Sequence, residues 1–223
     1  MASFLTNHKL MYKFNFKIFT VLFLFGLGIV SAQTKLYQHP DFEQKTKDHK
    51  IIAILPFDAK VSLRPKQMKE LSEEQFADIQ KNEGFSVQNS MYSWFLNRKK
   101  RGSLKVDVQD PKKTNVLLLQ NNIDLKAVTS EQLAQILGVD AVITGTFETD
   151  KPMSDGASIA LGLLVGFWGA TNTATINMSV NNGTDGELLW NYNKKVAGSL
   201  GSNNDALINT LMRKASRRLG YTD

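Results

Sequence analysis

The chain predicts an α/β fold, a three-layer mixed β-sheet with flanking helices and a carboxyl-terminal β-hairpin followed by a helix. Three observations predict it. Strand-like and helix-like segments alternate along residues 50–219, as expected of a sheet covered by helices. The run Ile51-Ile52-Ala53-Ile54-Leu55 is apolar without alternation, which suits a strand buried on both faces. The alternating Ile176 to Val180 and the strand-like Glu187 to Tyr192 then flank the turn-rich Asn181-Asn182-Gly183-Thr184-Asp185-Gly186, which predicts antiparallel pairing.

The amino terminus reads as an export signal spanning residues 1–32. Lys13 and Lys17 precede a 13-residue apolar run, Ile18 to Val30, interrupted by Thr20, Gly26 and Gly28. Val30-Ser31-Ala32 offers acceptable side chains for cleavage after Ala32. The alternative, a retained membrane anchor, would need about 18 or more apolar residues. Met11 is a second candidate start. With no cysteine anywhere, the expectation is an exported, unlipidated protein, periplasmic or associated with the outer membrane of a Gram-negative bacterium.

The chain carries 27 basic and 21 acidic residues. Lys9, Lys13 and Lys17 are the charges of residues 1–32, so cleavage leaves 24 against 21, or +3. That balance gives no nucleic-acid footprint. Without cysteine there is no disulfide framework, so stability must come from packing.

Residues 33–49 are polar and aperiodic, and are expected to form a tail ahead of a single domain over 50–223. Pro56 should end the first strand. Residues 66–83 look helical, Gly84 marks a break or kink, and Val87 to Arg101 resumes with Val87, Met91, Trp94 and Phe95 on one face. Arg98-Lys99-Lys100-Arg101 then complements the helix dipole and Gly102 caps it, a simpler account than a polyanion site. Leu104, Val106 and Val108 alternate as a half-exposed strand. Pro111 opens a helix to about Asn121. Thr129 to Gln132 forms a capping box for the next, which ends at Gly138. Val139 to Phe147 is a strand, Ile176 to Val180 and Glu187 to Tyr192 form the hairpin, and Asp205 to Leu219 is the last helix, with a basic end.

The search for chemistry points away from catalysis. Histidines stand at 8, 39 and 49, none within the expected domain, which removes histidine-based triads and histidine-rich metal sites. Asp107 with Asp110, Glu148 with Asp150, and Asp185 with Glu187 are close in sequence, but strand ends and turns account for each. No cofactor is expected. An enzyme acting on a cell-wall substrate would need a deep pocket with two facing carboxylates.

The segment Ala157 to Ala170 has no charge. As a helix it sets Ser158, Gly162, Gly166 and Ala170 four apart, a stripe of the kind that lets helices approach closely. As a strand it puts Leu161, Val165 and Phe167 on one face. Ser158, Leu161, Gly162, Val165, Gly166, Phe167 and Trp168 are therefore the candidate interaction segment. A core element, a homo-oligomer contact and peripheral contact with the outer membrane all remain open.

Taken in order, Ile51 to Phe57, then Leu133 to Phe147 with its Leu137-Gly138-Val139-Asp140-Ala141-Val142-Ile143 core, then Gly186-Glu187-Leu188-Leu189-Trp190 resemble a known superfamily. It contains the curli-secretion channel subunits, the outer-membrane lipoprotein activators of peptidoglycan synthases and the TolB amino-terminal domain. The chain also resembles exported proteins of Bacteroidetes-type bacteria. Two departures stand out: Asn181 or Asn182 replaces the hairpin's first aspartate, and the barrel-forming insertions of the curli channel are not evident. The resemblance implies a three-layer envelope domain that acts by contacts with envelope protein partners, not by catalysis.

Overall fold

The structure is a computed structural model that describes residues 34–62, 69–149, 173–197 and 204–222, all within one unit, Ala32–Asp223. The strands are β1 (Thr34–Gln38), β2 (Ile51–Ile54), β3 (Asp58–Val61), β4 (Asp107–Val108), β5 (Ala141–Thr149), β6 (Thr173–Asn182) and β7 (Leu188–Ala197). The helices are α1 (Phe42–Thr46), α2 (Glu73–Lys100), α3 (Pro111–Gln120), α4 (Ser130–Leu137) and α5 (Asn204–Ser216).

The seven strands form one mixed sheet in the order β1-β7-β6-β5-β2-β4, with β3 also paired to β5. β2 runs parallel to β4 and to β5, while β5, β6, β7 and β1 are successively antiparallel. The hairpin is as expected, though longer than the alternating residues alone suggested.

Alternation along β2 divides the core. Ile52 and Ile54 join a large cluster with Val87, Met91 and Phe95 of α2 and with Leu207, Leu211 and Met212 of α5. Ala53 and Leu55 join a smaller cluster with Leu118 of α3 and Leu133 and Leu137 of α4. The parallel half is thus three layers deep. β6 and β7 send Ile176, Met178, Val180, Trp190 and Tyr192 into the large cluster and polar residues to the other face, the usual pattern of a sheet with one solvated side.

Local chemistry explains the helix limits. Ser72 and Thr129 form reciprocal capping boxes with Gln75 and Gln132, Asp110 caps α3 with Pro111 in its first turn, and Gly138 ends α4 at φ 65°. At the end of α2, Gly102 takes φ 73° beyond the cap as expected, and Lys99 pairs with Asp107 at 2.7 Å.

Four expectations need correction. Residues 33–49 are not a tail. β1 pairs along β7, and Phe42 is buried with its ring 5.1 Å from Tyr221. His39 and His49 therefore belong to the packed domain: His39 Nε2 lies 3.2 Å from Glu187, and His49 Nδ1 lies 2.7 Å from the Tyr221 hydroxyl. Gly84 does not break a helix, because α2 runs through it. A Cβ there would stand 2.1 Å from the Phe57 carbonyl oxygen, so this glycine permits close approach of two backbones. Finally, β2 ends ahead of Pro56 as expected, but pairing along β5 continues beyond it. Leu55 still donates to Ile143 at 2.9 Å, and β3 resumes pairing along β5 from Asp58 opposite Thr146.

Among the described residues, no helix is long and apolar enough to cross a membrane.

Candidate functional site

The parallel half contains a topological switch point. From β2 the chain crosses to β4 by way of α2, on the face of the large cluster. From β4 it crosses to β5 by way of α3 and α4, on the opposite face. The loops leaving adjacent strands therefore diverge, and a crevice opens at the strands' carboxyl ends, where ligands of open α/β sheets commonly bind.

An open groove of about 1010 Å³ occupies this place. Leu55, Pro56, Phe57 and Asp58 bring the interrupted strand to it, Thr144 and Gly145 come from β5, and Phe85 comes from α2. α3, α4 and the segment between them form the other wall. Gly145 has no side chain because a Cβ would meet the Phe57 ring at 2.5 Å and the Asn177 carbonyl at 2.6 Å. The Phe57 ring takes that space instead.

The rim is apolar where α3 would be expected to face water. Leu119 is 77% exposed, Val116 41% and Leu125 36%, and all three line the groove. Among the described lining residues, the charged groups are Asp58, Lys81, Lys112 and Lys126. The groove thus offers an apolar floor and lip with a net positive rim, and one carboxylate instead of a facing pair.

Buried amides hold the walls in register. Gln88 Nε2 donates to the Ile54 carbonyl at 2.7 Å and to Asn115 Oδ1 at 3.0 Å, while Asn115 Nδ2 returns a bond to Gln88 Oε1 at 3.0 Å. This ties α2, β2 and α3 together. Gln109 donates to the Leu137 carbonyl at 2.8 Å and accepts from the Thr114 hydroxyl at 2.9 Å, fixing α3 to α4. In a buried setting each such group is costly to leave unpaired.

A second polar cluster lies where β1 and α1 meet the hairpin. Lys45 and Glu187 pair at 2.5 Å. This contact raises the Lys45 pKa and holds the Glu187 carboxyl below its ordinary value. Burial lowers the His49 imidazole and raises the Tyr221 hydroxyl. The cluster fastens residues 39–49 to the domain.

The carboxylates close in sequence are occupied structurally. Asp110 caps α3, Glu148 lies 3.4 Å from Lys60, and Asp185 accepts from the Glu187 amide at 2.9 Å in the hairpin turn. Asp150 and the whole candidate segment from Ser158 to Trp168 lie outside the described residues. The groove itself was missed in sequence. Its available signal was the run Val116-Leu117-Leu118-Leu119, too many apolar residues for a helix with one buried face.

No protein-family profile matches the chain, and no curated protein matches it. Some solved structures resemble the chain at low identity. The PelC dodecamer from Paraburkholderia phytofirmans is 10% identical with TM-score 0.46, covering 86% of this chain and 99% of that one. Lipoprotein GNA1162 from Neisseria meningitidis is 15% identical with TM-score 0.39, covering 76% and 95%. The LpoB carboxyl-terminal domain from Salmonella enterica is 12% identical with TM-score 0.32, covering 71% and 94%.

Proposed function

We propose that this chain is an exported, non-enzymatic accessory protein of the cell envelope that works by binding another envelope protein in the switch-point groove. The carrying observation is the exposed apolar lip of Leu119, Val116 and Leu125 above that groove. Contiguous exposed apolar surface rimmed by polar groups marks an interaction site more often than a solvated face. The export-like amino terminus and the order of sequence motifs support the envelope setting.

Charge narrows the partner's chemistry. Lys81, Lys112 and Lys126 outnumber Asp58 at the rim. An amphipathic partner segment with acidic residues flanking its apolar anchors would satisfy both the floor and the rim, since complementary potentials favour encounter and register.

The test places a photo-crosslinking phenylalanine derivative at Leu119 in the full chain, expressed in its envelope. The control position is Leu96, exposed on α2. Mass spectrometry should identify one crosslinked peptide from position 119, acidic and amphipathic, absent from position 96. Lys112→Glu combined with Lys126→Glu should suppress it. A crosslink spread equally over both positions, or one unaffected by the charge reversals, would sink the proposal.

A further inference from the structure

We propose that the outer edge of β1, unpaired among the described residues, pairs with β1 of a second copy of this chain, antiparallel and centred on Leu36. The proposal is independent of the groove and concerns the opposite margin of the sheet.

Among the described residues, β1 is the terminal strand of the sheet order. Its register on β7 sets Leu36 opposite Tyr192, Tyr37 opposite Asn191 and Gln38 opposite Trp190. One residue further, the His39 amide donates to the Leu189 carbonyl at 2.8 Å. In an antiparallel ladder the hydrogen-bonded pairs recur at every second residue. Lys35 and Tyr37 therefore direct their backbone groups to β7, and Thr34, Leu36 and Gln38 direct theirs outward. The edge presents a row of donors and acceptors that pairs readily with another strand.

The side chains fit a copy of themselves. Leu36 is 51% exposed and Tyr37 43%, on opposite faces of the strand. A twofold axis at Leu36 brings Leu36 opposite its equivalent in a hydrogen-bonded pair and Thr34 opposite Gln38. Lys35 then meets Tyr37 of the second copy in the closer, non-bonded pair, where an ammonium over a ring is favourable. The neighbouring registers with the same backbone phase are poorer. One sets Lys35 directly against Lys35, the other sets Leu36 against Gln38, and both shorten the paired length. The contact of Lys35 with the Tyr37 ring and the full paired length thus select the register that uses all five residues.

Natural edge strands are commonly protected by proline or bulges within the strand. Within β1 the one such device is Lys35, which this register accommodates, and Pro40 falls beyond the strand. Five residues span only about 17 Å, too short a strand to bury the roughly 1,000 Å² expected of a standing interface. The dimer should therefore be reversible and promoted by local concentration.

The chain has no cysteine, so a single introduced one reports without ambiguity. Residues in a hydrogen-bonded antiparallel pair have Cα atoms about 5.5 Å apart, within disulfide reach. The full-length Leu36→Cys protein, oxidised in the envelope with copper-phenanthroline, should give a band of doubled mass on non-reducing gels. About tenfold less is expected from Lys35→Cys or Gln38→Cys, whose equivalents are not opposed. In sedimentation, the parent's apparent mass should rise toward the dimer with concentration. Leu36→Pro removes only an outward-facing amide, so it should stay monomeric with unchanged circular dichroism. Equal crosslinking at all three positions, or a monomeric parent at every concentration, would overturn the proposal. So would a Leu36→Cys adduct whose mass shows a foreign protein.

Discussion

Replacing Gly84 by alanine sets helix propensity against packing. In a helix interior alanine is favoured over glycine by about 1 kcal/mol, and Gly84 lies inside the 28-residue helix α2. Propensity alone predicts a more stable protein. The structure predicts the reverse, because the new Cβ would lie 2.1 Å from the Phe57 carbonyl oxygen and 3.2 Å from its carbon. Reaching even 3.0 Å requires the two backbones to part by about 0.9 Å. The obstacle cannot rotate aside, since Phe57 lies between β2 and β3, both paired to β5. The 3.4 Å bond from the Phe57 amide to the Gly84 carbonyl would be lost in the process. Overpacking costs about 1–3 kcal/mol, and a main-chain obstacle argues for the upper end, leaving a net loss near 2 kcal/mol after the propensity gain. In urea, with a slope of about 1–3 kcal/mol per molar, the unfolding midpoint should fall by roughly 1 M. Ala77→Gly on the exposed side of the same helix calibrates the scale, with a loss of about 1 kcal/mol from propensity alone. A Gly84→Ala midpoint equal to or above that of the parent would refute the reasoning. Because Phe57 lines the groove, the same variant should also weaken the crosslink from position 119.

Three further outcomes follow from named contacts. Gln88→Leu leaves the Ile54 carbonyl and Asn115 without their buried partner, so chemical denaturation should show a loss of about 1–3 kcal/mol. Thr129→Ala removes one arm of the α4 capping box and should cost about 1 kcal/mol by the same measurement, with Thr129→Ser restoring most of it. Burial holds the His49 pKa below 6.5, so the neutral ring's contribution is complete above that value and drains as the pH falls through the folded-state pKa. His49→Gln should therefore flatten the decline in thermal midpoint between about pH 7 and pH 5. It should not alter the change below 4.5, where Glu187, held low by Lys45, takes up its proton.

Legibility in the sequence tracked how local the determining physics was. The capping box at Thr129, the turn at Gly138 and the alternation of Ile176, Met178 and Val180 act within a few residues, and each marks an element the structure contains. Lys35 to Gln38 carries no such mark. β1 exists because β7, more than 150 positions away, offers it an edge. Once it pairs, Phe42 is drawn into the core and His39 and His49 are held, half-buried, against the domain. Gly84 misled for a related reason. A glycine at a helix break and a glycine at a close approach look the same until Phe57 is placed above it. The strand at Asp58–Val61 was hidden behind Pro56, whose missing amide stops one rung of a ladder without stopping the ladder. The groove was the least legible feature of all. Leu119, Phe57 and Thr144 come from three elements and meet only through the crossover topology.

That topology also bears on whether the two proposed surfaces can act together. The groove opens at the carboxyl end of β2, while β1 forms the far margin of the antiparallel half. β7, β6 and β5 lie between them, four strand spacings or about 19 Å. Pairing through β1 would continue the sheet without approaching α3 or its apolar lip. A dimer would therefore carry two open grooves, and a partner displaying the docking segment more than once would bind with avidity greater than either groove provides. The two contacts make separable predictions. Leu36→Pro should leave the affinity of a single isolated docking peptide unchanged and should lower the retention of a multivalent partner. Reversing the charges of Lys112 and Lys126 should lower both. If Leu36→Pro weakened the single peptide as much as the multivalent partner, the groove and the edge would be coupled through the sheet, and their separation by strand order would be the wrong way to read this fold.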